Sequence, residues 1–209
     1  MPRAGLSHDA VVRLAVEVVD AGGPSGFADL TLAKVAAKAG VAAPSLYKHV
    51  GSLADLRREV SVVAVRELTV AAASATVGRA GADALHALAD ALRAYALDHP
   101  GRYAATQIGP DPDDPAAAPL RDAAADSVQV VVAVLRGFGL PDGRVIDAVR
   151  AVRAGVHGFV TLELGGGFRM REDVEQSFAV LVEMLVAGVS ALAAPDALLD
   201  RHTTTGSHS

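Results

Sequence analysis

The sequence predicts an all-α protein, and three observations carry that prediction. Apolar residues recur at helical spacing along most of the chain. Glycine and proline fall between those stretches, and no segment alternates apolar and polar residues between hairpin turns. With 209 residues, 51% of them apolar, the chain is long enough to bury a sizeable core in one or two units. It has no cysteine, which excludes a disulfide framework and any thiolate metal site.

The elements follow in order. Ser7 is placed to cap a first helix whose buried face is Val11, Val12, Ala15, Val16 and Val19. Residues 22–26, Gly-Gly-Pro-Ser-Gly, break it. Thr31 is a good cap for a second helix, with Leu32, Val35, Ala36 and Ala39 on one side and Lys34 and Lys38 on the other. Gly40 stands just past the last periodic residue, where a left-handed backbone favours glycine. Val41 is expected to plug the gap before a third helix, and Pro44 suits that helix's first turn. Leu46 and Val50 pack inward, leaving Ser45, Lys48 and His49 facing out and Tyr47 at the edge.

Ser52 caps a long helix from Leu53 to about Thr76, with Asp55 in its first turn. Gly78 and Gly81 end it. A helix over 82–98 follows, with Leu85, Leu88, Ala89, Leu92, Tyr95 and Ala96 on one side. His99-Pro100-Gly101 precedes a short helix at 102–108, and residues 109–115 form a proline- and aspartate-rich loop. Three further helices are expected, over 116–138, over 143–164 with Asp142 as cap, and over 171–194; residues 196–209 read as a flexible tail.

Two short helices joined at a glycine form a helix-turn-helix, an arrangement that lays its second helix in a DNA major groove. Charge sits where such a reader needs it. The chain's three lysines, Lys34, Lys38 and Lys48, all lie in this motif. Residues 1–60 carry seven basic and six acidic side chains, whereas the remainder carries twelve and eighteen. A net charge of −5 therefore argues against indiscriminate nucleic-acid binding but leaves a local DNA-reading head intact.

Residues 31–50, with Gly51-Ser52-Leu53-Ala54-Asp55-Leu56 after them, resemble the DNA-binding head of the TetR family of transcriptional regulators. The shared pattern is a Thr-led helix, an Ala-Gly-Val turn, and a recognition helix ending Leu-Tyr-basic-His-apolar; Phe27 and Leu30 resemble the apolar residues that precede it. The resemblance implies DNA contacts at Thr31, Pro44, Ser45, Tyr47, Lys48 and His49, with Thr31 and Tyr47 on phosphate more than on bases, and Lys34 beside them. One position departs: the family often has a phosphate-binding lysine where this chain has Leu53. Loss of that contact is expected to flatten the salt dependence by about one unit.

The later helices resemble the regulatory domain of the same family. Residues 98–103, Asp-His-Pro-Gly-Arg-Tyr, together with His157-Gly158-Phe159 and Gly166-Gly167-Phe168, look like a subgroup with a Trp-His-Gly signature, although Val156 holds the Trp position. The family implies a homodimer through the last two long helices. Ala151, Ala154, Gly155 and Gly158 are small enough for close approach, and Leu181, Leu185, Val189 and Leu192 make an apolar row. It also implies a small-molecule effector inside the middle helices, for which Tyr95, Tyr103, Gln107, Phe138, His157 and Thr161 are candidate lining. The polar stripe Arg150, Arg153, His157 and Thr161 is open to three readings: pocket, solvent or dimer interface. Few aromatics and an Ala/Val-rich interior suit an apolar, aliphatic or acyl effector.

Catalysis finds no support. His86, His99 and His157 lie on different helices, with no His-Glu-x-x-His spacing, Gly-x-Ser-x-Gly elbow or phosphate loop. Asp111, Asp113 and Asp114 lack the spacing of a calcium loop, so no metal and no cofactor is expected. The longest run free of charged residues, 184–195, is shorter than the ~18–20 residues a bilayer span needs, and the first residues do not read as a signal peptide. The expected organisation is a DNA-binding head over 1–52 and a ligand-binding and dimerisation domain over 53–195. Together they would make a cytoplasmic, ligand-released repressor on a palindromic operator. The alternative is a helical small-molecule or partner-binding protein with a degenerate head.

Overall fold

The computed structural model describes residues 6–194, and every regular element among them is helical. The α-helices are α1 (His8–Ala21), α2 (Leu32–Ala39), α3 (Leu53–Thr76), α4 (Gly81–Asp98), α5 (Pro100–Ala105), α6 (Ala118–Arg136), α7 (Asp142–Leu164) and α8 (Val174–Ala193). The expected tail, 196–209, lies outside the described residues.

The chain divides into two compact units. The first comprises Met1–Ala71 and Ala94–Ser127 and the second Ala72–Arg93 and Val128–Ser209, so α3, α4 and α6 each contribute to both. In the first unit α1 and α2 bury Val11, Ala15, Val19, Val35 and Ala36 with Leu30, Leu46, Leu56 and Val60. Leu30, Leu46 and Leu56 are fully buried, each a contribution of roughly 2 kcal/mol. Gly26 makes that packing close: a Cβ there would lie 1.9 Å from the Val19 carbonyl oxygen. A separate cluster joins Val62 and Val65 of α3 to Leu120 and Ala123 of α6. In the second unit Leu85 and Leu88, Leu135, Val149 and Val152, and Val189 share a core.

Element ends follow their caps. Ser7 Oγ accepts from the Ala10 amide at 3.2 Å. Ser52 Oγ accepts from the Asp55 amide at 3.0 Å and donates to the Asp55 carboxylate at 2.8 Å, so α3 starts where the sequence places it. Asp142 is a correction. It is the first residue of α7, Pro141 takes the capping position, and no side chain closes that end. The helix after the proline-rich loop starts at Ala118, because residues 115–117 form a 3₁₀ turn held by Asp114, whose carboxylate accepts from the Ala116 amide at 2.9 Å.

Helix α8 is apolar yet largely uncovered. Its mean hydropathy is 1.7 and only 17% of it is buried, so by length and composition it could cross a membrane. Counting charge-free runs misses this, because Glu175 and Glu183 interrupt the stretch without making it polar. The row Leu181, Leu185, Val189, Leu192 does not form its outer face. Val189 is buried in the second unit's core, with Leu185 and Leu192 packed against it. The outer face carries Val180 (49% exposed) and Met184 (67%), followed at helical spacing by Ala187, Gly188 and Ala191. On α7, Gly155 accommodates the Leu185 side chain of the same chain, while Ala151, Ala154 and Gly158 are exposed.

Candidate nucleic-acid interface

The motif at 31–50 is built from local chemistry. Thr31 is extended (φ −135°, ψ 153°), and its Oγ1 accepts from the Lys34 amide at 3.2 Å, closing the start of α2. Gly40 ends α2 in the left-handed region (φ 68°), as its position requires. The second segment, Ala43–Lys48, is a 3₁₀ helix instead of an α-helix. Pro44 sits in its first turn and removes an amide donor, and no side chain caps the start, so the tighter form spans all six residues.

This segment packs on α2 through Leu46, fully buried, with Val50 beside it. Tyr47 is 60% exposed, standing further out than the edge position expected of it. Pro44 and Lys48 are exposed, and Ser45 and His49 are half-buried. Thr31 and Lys34 are exposed on α2. Lys38 pairs with Glu17 of α1 at 3.0 Å, whereas Lys34 and Lys48 have no carboxylate partner among the described residues. Val41 is 37% exposed, more open than a plug between the helices, and its amide donates to the Ala36 carbonyl at 3.0 Å. Leu53, at the position where a phosphate-binding lysine is expected, is half-buried against the first unit's core.

What supports this surface lies beyond local sequence. Arg57 on α3 donates from Nη2 to the carbonyls of Ala28 (2.8 Å) and Leu30 (3.1 Å), fixing the segment that leads into Thr31. Arg102 of α5 grips Asp20 at the end of α1 with two bonds (2.8 and 2.9 Å) and Glu67 of α3 with a third (2.6 Å). Burial works against the Arg102 charge, and the bonds to Asp20 and Glu67 outweigh it, holding its pKa above the ordinary value. No spacing rule could pair residues 27 to 82 positions apart.

The expected effector residues fall in both units. Tyr95 and Tyr103 are buried in the first, and Gln107 there donates to Thr106 Oγ1 at 2.7 Å. The Tyr95 hydroxyl is engaged by the Ala64 carbonyl (3.3 Å) and Glu67 (3.1 Å), and burial, then the Glu67 charge, pushes its pKa up. Phe138 packs against the second unit's core, and Thr161 is exposed beside half-buried His157. Burial, then Arg153, holds the His157 pKa below 6.5. Of the polar stripe, Arg150, Arg153 and Thr161 are all exposed. A cleft of about 740 Å³ in the first unit, between Phe27, the start of α3 and residues 108–120, is lined by none of these six residues.

A model of the Tetracyclin repressor-like C-terminal domain matches residues 85–185. An HTH-type transcriptional regulator of Mycobacterium tuberculosis is 36% identical over 97% of this chain and 86% of its own length. The chain belongs to the TetR family. A TetR regulator of Streptomyces coelicolor shares the fold at TM-score 0.65 and 19% identity, over 91% of this chain and all of that one (100%). A TetR variant from Acinetobacter baumannii, crystallised with minocycline, does so at TM-score 0.65 and 19% identity, over 91% and 99%. As a TetR-family protein, this chain has its relatives among transcriptional regulators, which are not enzymes.

Proposed function

We propose that residues 1–52 read a palindromic DNA operator and that residues 53–195 bind a small-molecule effector and dimerise, making the protein a ligand-released repressor. The observation that carries the reading is the exposed, uncompensated set at 31–50: Thr31, Lys34, Pro44, Tyr47 and Lys48, joined by half-buried Ser45 and His49. Positive charge left open beside an aromatic is what a phosphate backbone requires, while the base-reading groups face the groove.

Dimerisation rests on α8. A helix this apolar and this little buried needs a cover, and the stripe Val180, Met184, Gly188 and Ala191, with Ile146 (48% exposed) and Leu162 (55%) of α7, offers one to a second copy. Two heads then meet two half-sites, which a single head cannot reach. The minocycline complex of the Acinetobacter relative supports a small-molecule effector as a class; Tyr95, Tyr103, Gln107, Phe138, His157 and Thr161 remain the proposed lining. The Trp-His-Gly subgroup is proposed on the same basis, with buried Val156 filling the Trp position (1% exposed). Site of action is the cytoplasm, where the DNA is.

The test is selection of bound sequences from a random duplex pool at two salt concentrations. The expected result is a palindrome with half-sites about one helical turn apart and affinity that falls with salt. No recovered motif from a folded dimer would overturn the reading in favour of a small-molecule or partner-binding protein with a degenerate head.

A further inference from the structure

Two buried side-chain atoms among the described residues lack any hydrogen-bond partner, Arg57 Nε and Ser61 Oγ. Both belong to α3, four residues apart, so they share one helix face. A buried donor without a partner has given up water and gained nothing, and native structures rarely keep one without an occupant to satisfy it. Arg57 also lines the 740 Å³ cleft, whose walls are largely apolar: Phe27, Leu53, Ile108, Ala117 and Leu120.

The charges in this cleft are handled differently from one another. Arg58 is taken up by Asp55 at 3.0 Å and Asp114 at 2.9 Å. Asp111, exposed on the opposite loop, accepts from the Asp113 amide at 2.9 Å. Arg57 has no carboxylate partner among the described residues; its Nη2 meets only the two carbonyls, which accept protons without neutralising charge.

We infer that this cleft binds an amphipathic organic monocarboxylate, its headgroup on Arg57 and its hydrocarbon body along the apolar wall. The planar guanidinium, with donors left over beyond its two carbonyl bonds, suits the oxygens of a carboxylate. Asp114 is taken up by Arg58, but the Asp111 carboxylate on the cleft wall opposes a doubly charged headgroup, which favours a carboxylate over a phosphate. The carbonyls that Arg57 holds belong to the segment entering Thr31, so a ligand on Arg57 acts on the start of α2. That last consequence rests on the proposed DNA reading; the binding does not.

The experiment titrates the full, DNA-free chain with decanoate, decan-1-ol and acetate by calorimetry. Decanoate is expected to bind at one per chain, with both other probes at least tenfold weaker. Arg57→Gln should weaken decanoate at least tenfold. Ile108→Asp should do the same without touching the carbonyl bonds, and it decides alone if the first variant does not fold. Absence of decanoate binding, equal binding of decan-1-ol, or full affinity in the folded variants overturns the inference. Decanoate binding that leaves operator affinity unchanged sinks only the link to α2, and a decanoate-binding chain that ignores every duplex sinks only the DNA reading.

Discussion

Positive charge is used in two opposite ways along this chain. In the helix-turn-helix, Lys34 and Lys48 are exposed and have no carboxylate partner among the described residues. In the body, Arg93 is 8% exposed and is held by Glu163 at 2.6 Å and Glu175 at 2.7 Å, with Phe178 under its guanidinium at 4.9 Å. Arg102 is likewise consumed by Asp20 and Glu67. A flexible lysine suits an external polyanion, and a planar arginine suits fixed internal geometry. Internal acids occupy Arg93 and Arg102, while Lys34 and Lys48 stay open although the protein is acidic overall.

Arg102 carries the largest expected effect. Arg102→Met strands Asp20 and Glu67 and should cost about 3 kcal/mol, the low end for such a loss because both acids are partly exposed; chemical denaturation measures it. Arg93→Met should cost about 2 kcal/mol by the same reasoning. The Arg93 hydrogen bond holds Glu175 below its ordinary 4.5. A depressed carboxylate contributes stability that is present above its unfolded value and lost as pH falls through the folded one. Wild type should therefore lose stability below about pH 4.5 more steeply than Arg93→Met, as thermal melts across that range would record.

Lys48→Ala is the reverse case. With no internal partner to strand, it should leave helicity and Tm unchanged while weakening operator binding about tenfold and lowering the salt slope by about one. A folding defect instead would place Lys48 among the internal charges. Smallest is Ser52→Ala, which removes the cap of α3 and should cost about 1 kcal/mol in denaturation.

What was legible in the sequence was local. Ser7, Thr31, Gly40 and Ser52 each act within three or four residues of themselves, and each does what its type and position imply. The exposure of Tyr47 and Lys48 follows from Leu46 and Val50 turning inward. Val41 and Asp142 misled because turn geometry and a preceding proline overrode their residue preferences. The Leu181 row misled because an apolar stripe does not say which of two apolar neighbours it meets. The long-range bonds of Arg57, Arg93 and Arg102 were silent, since nothing local marks a partner far along the chain.

The open face of α8 has a consequence for how much protein must be present. If a second copy supplies its cover, association and folding are linked by mass action: the melting temperature should climb with protomer concentration, and dilution alone should unfold or deplete the operator-competent form. Operator occupancy would then rise more steeply than in proportion to the amount of chain made, so a modest change in synthesis would act as a switch before any effector is bound.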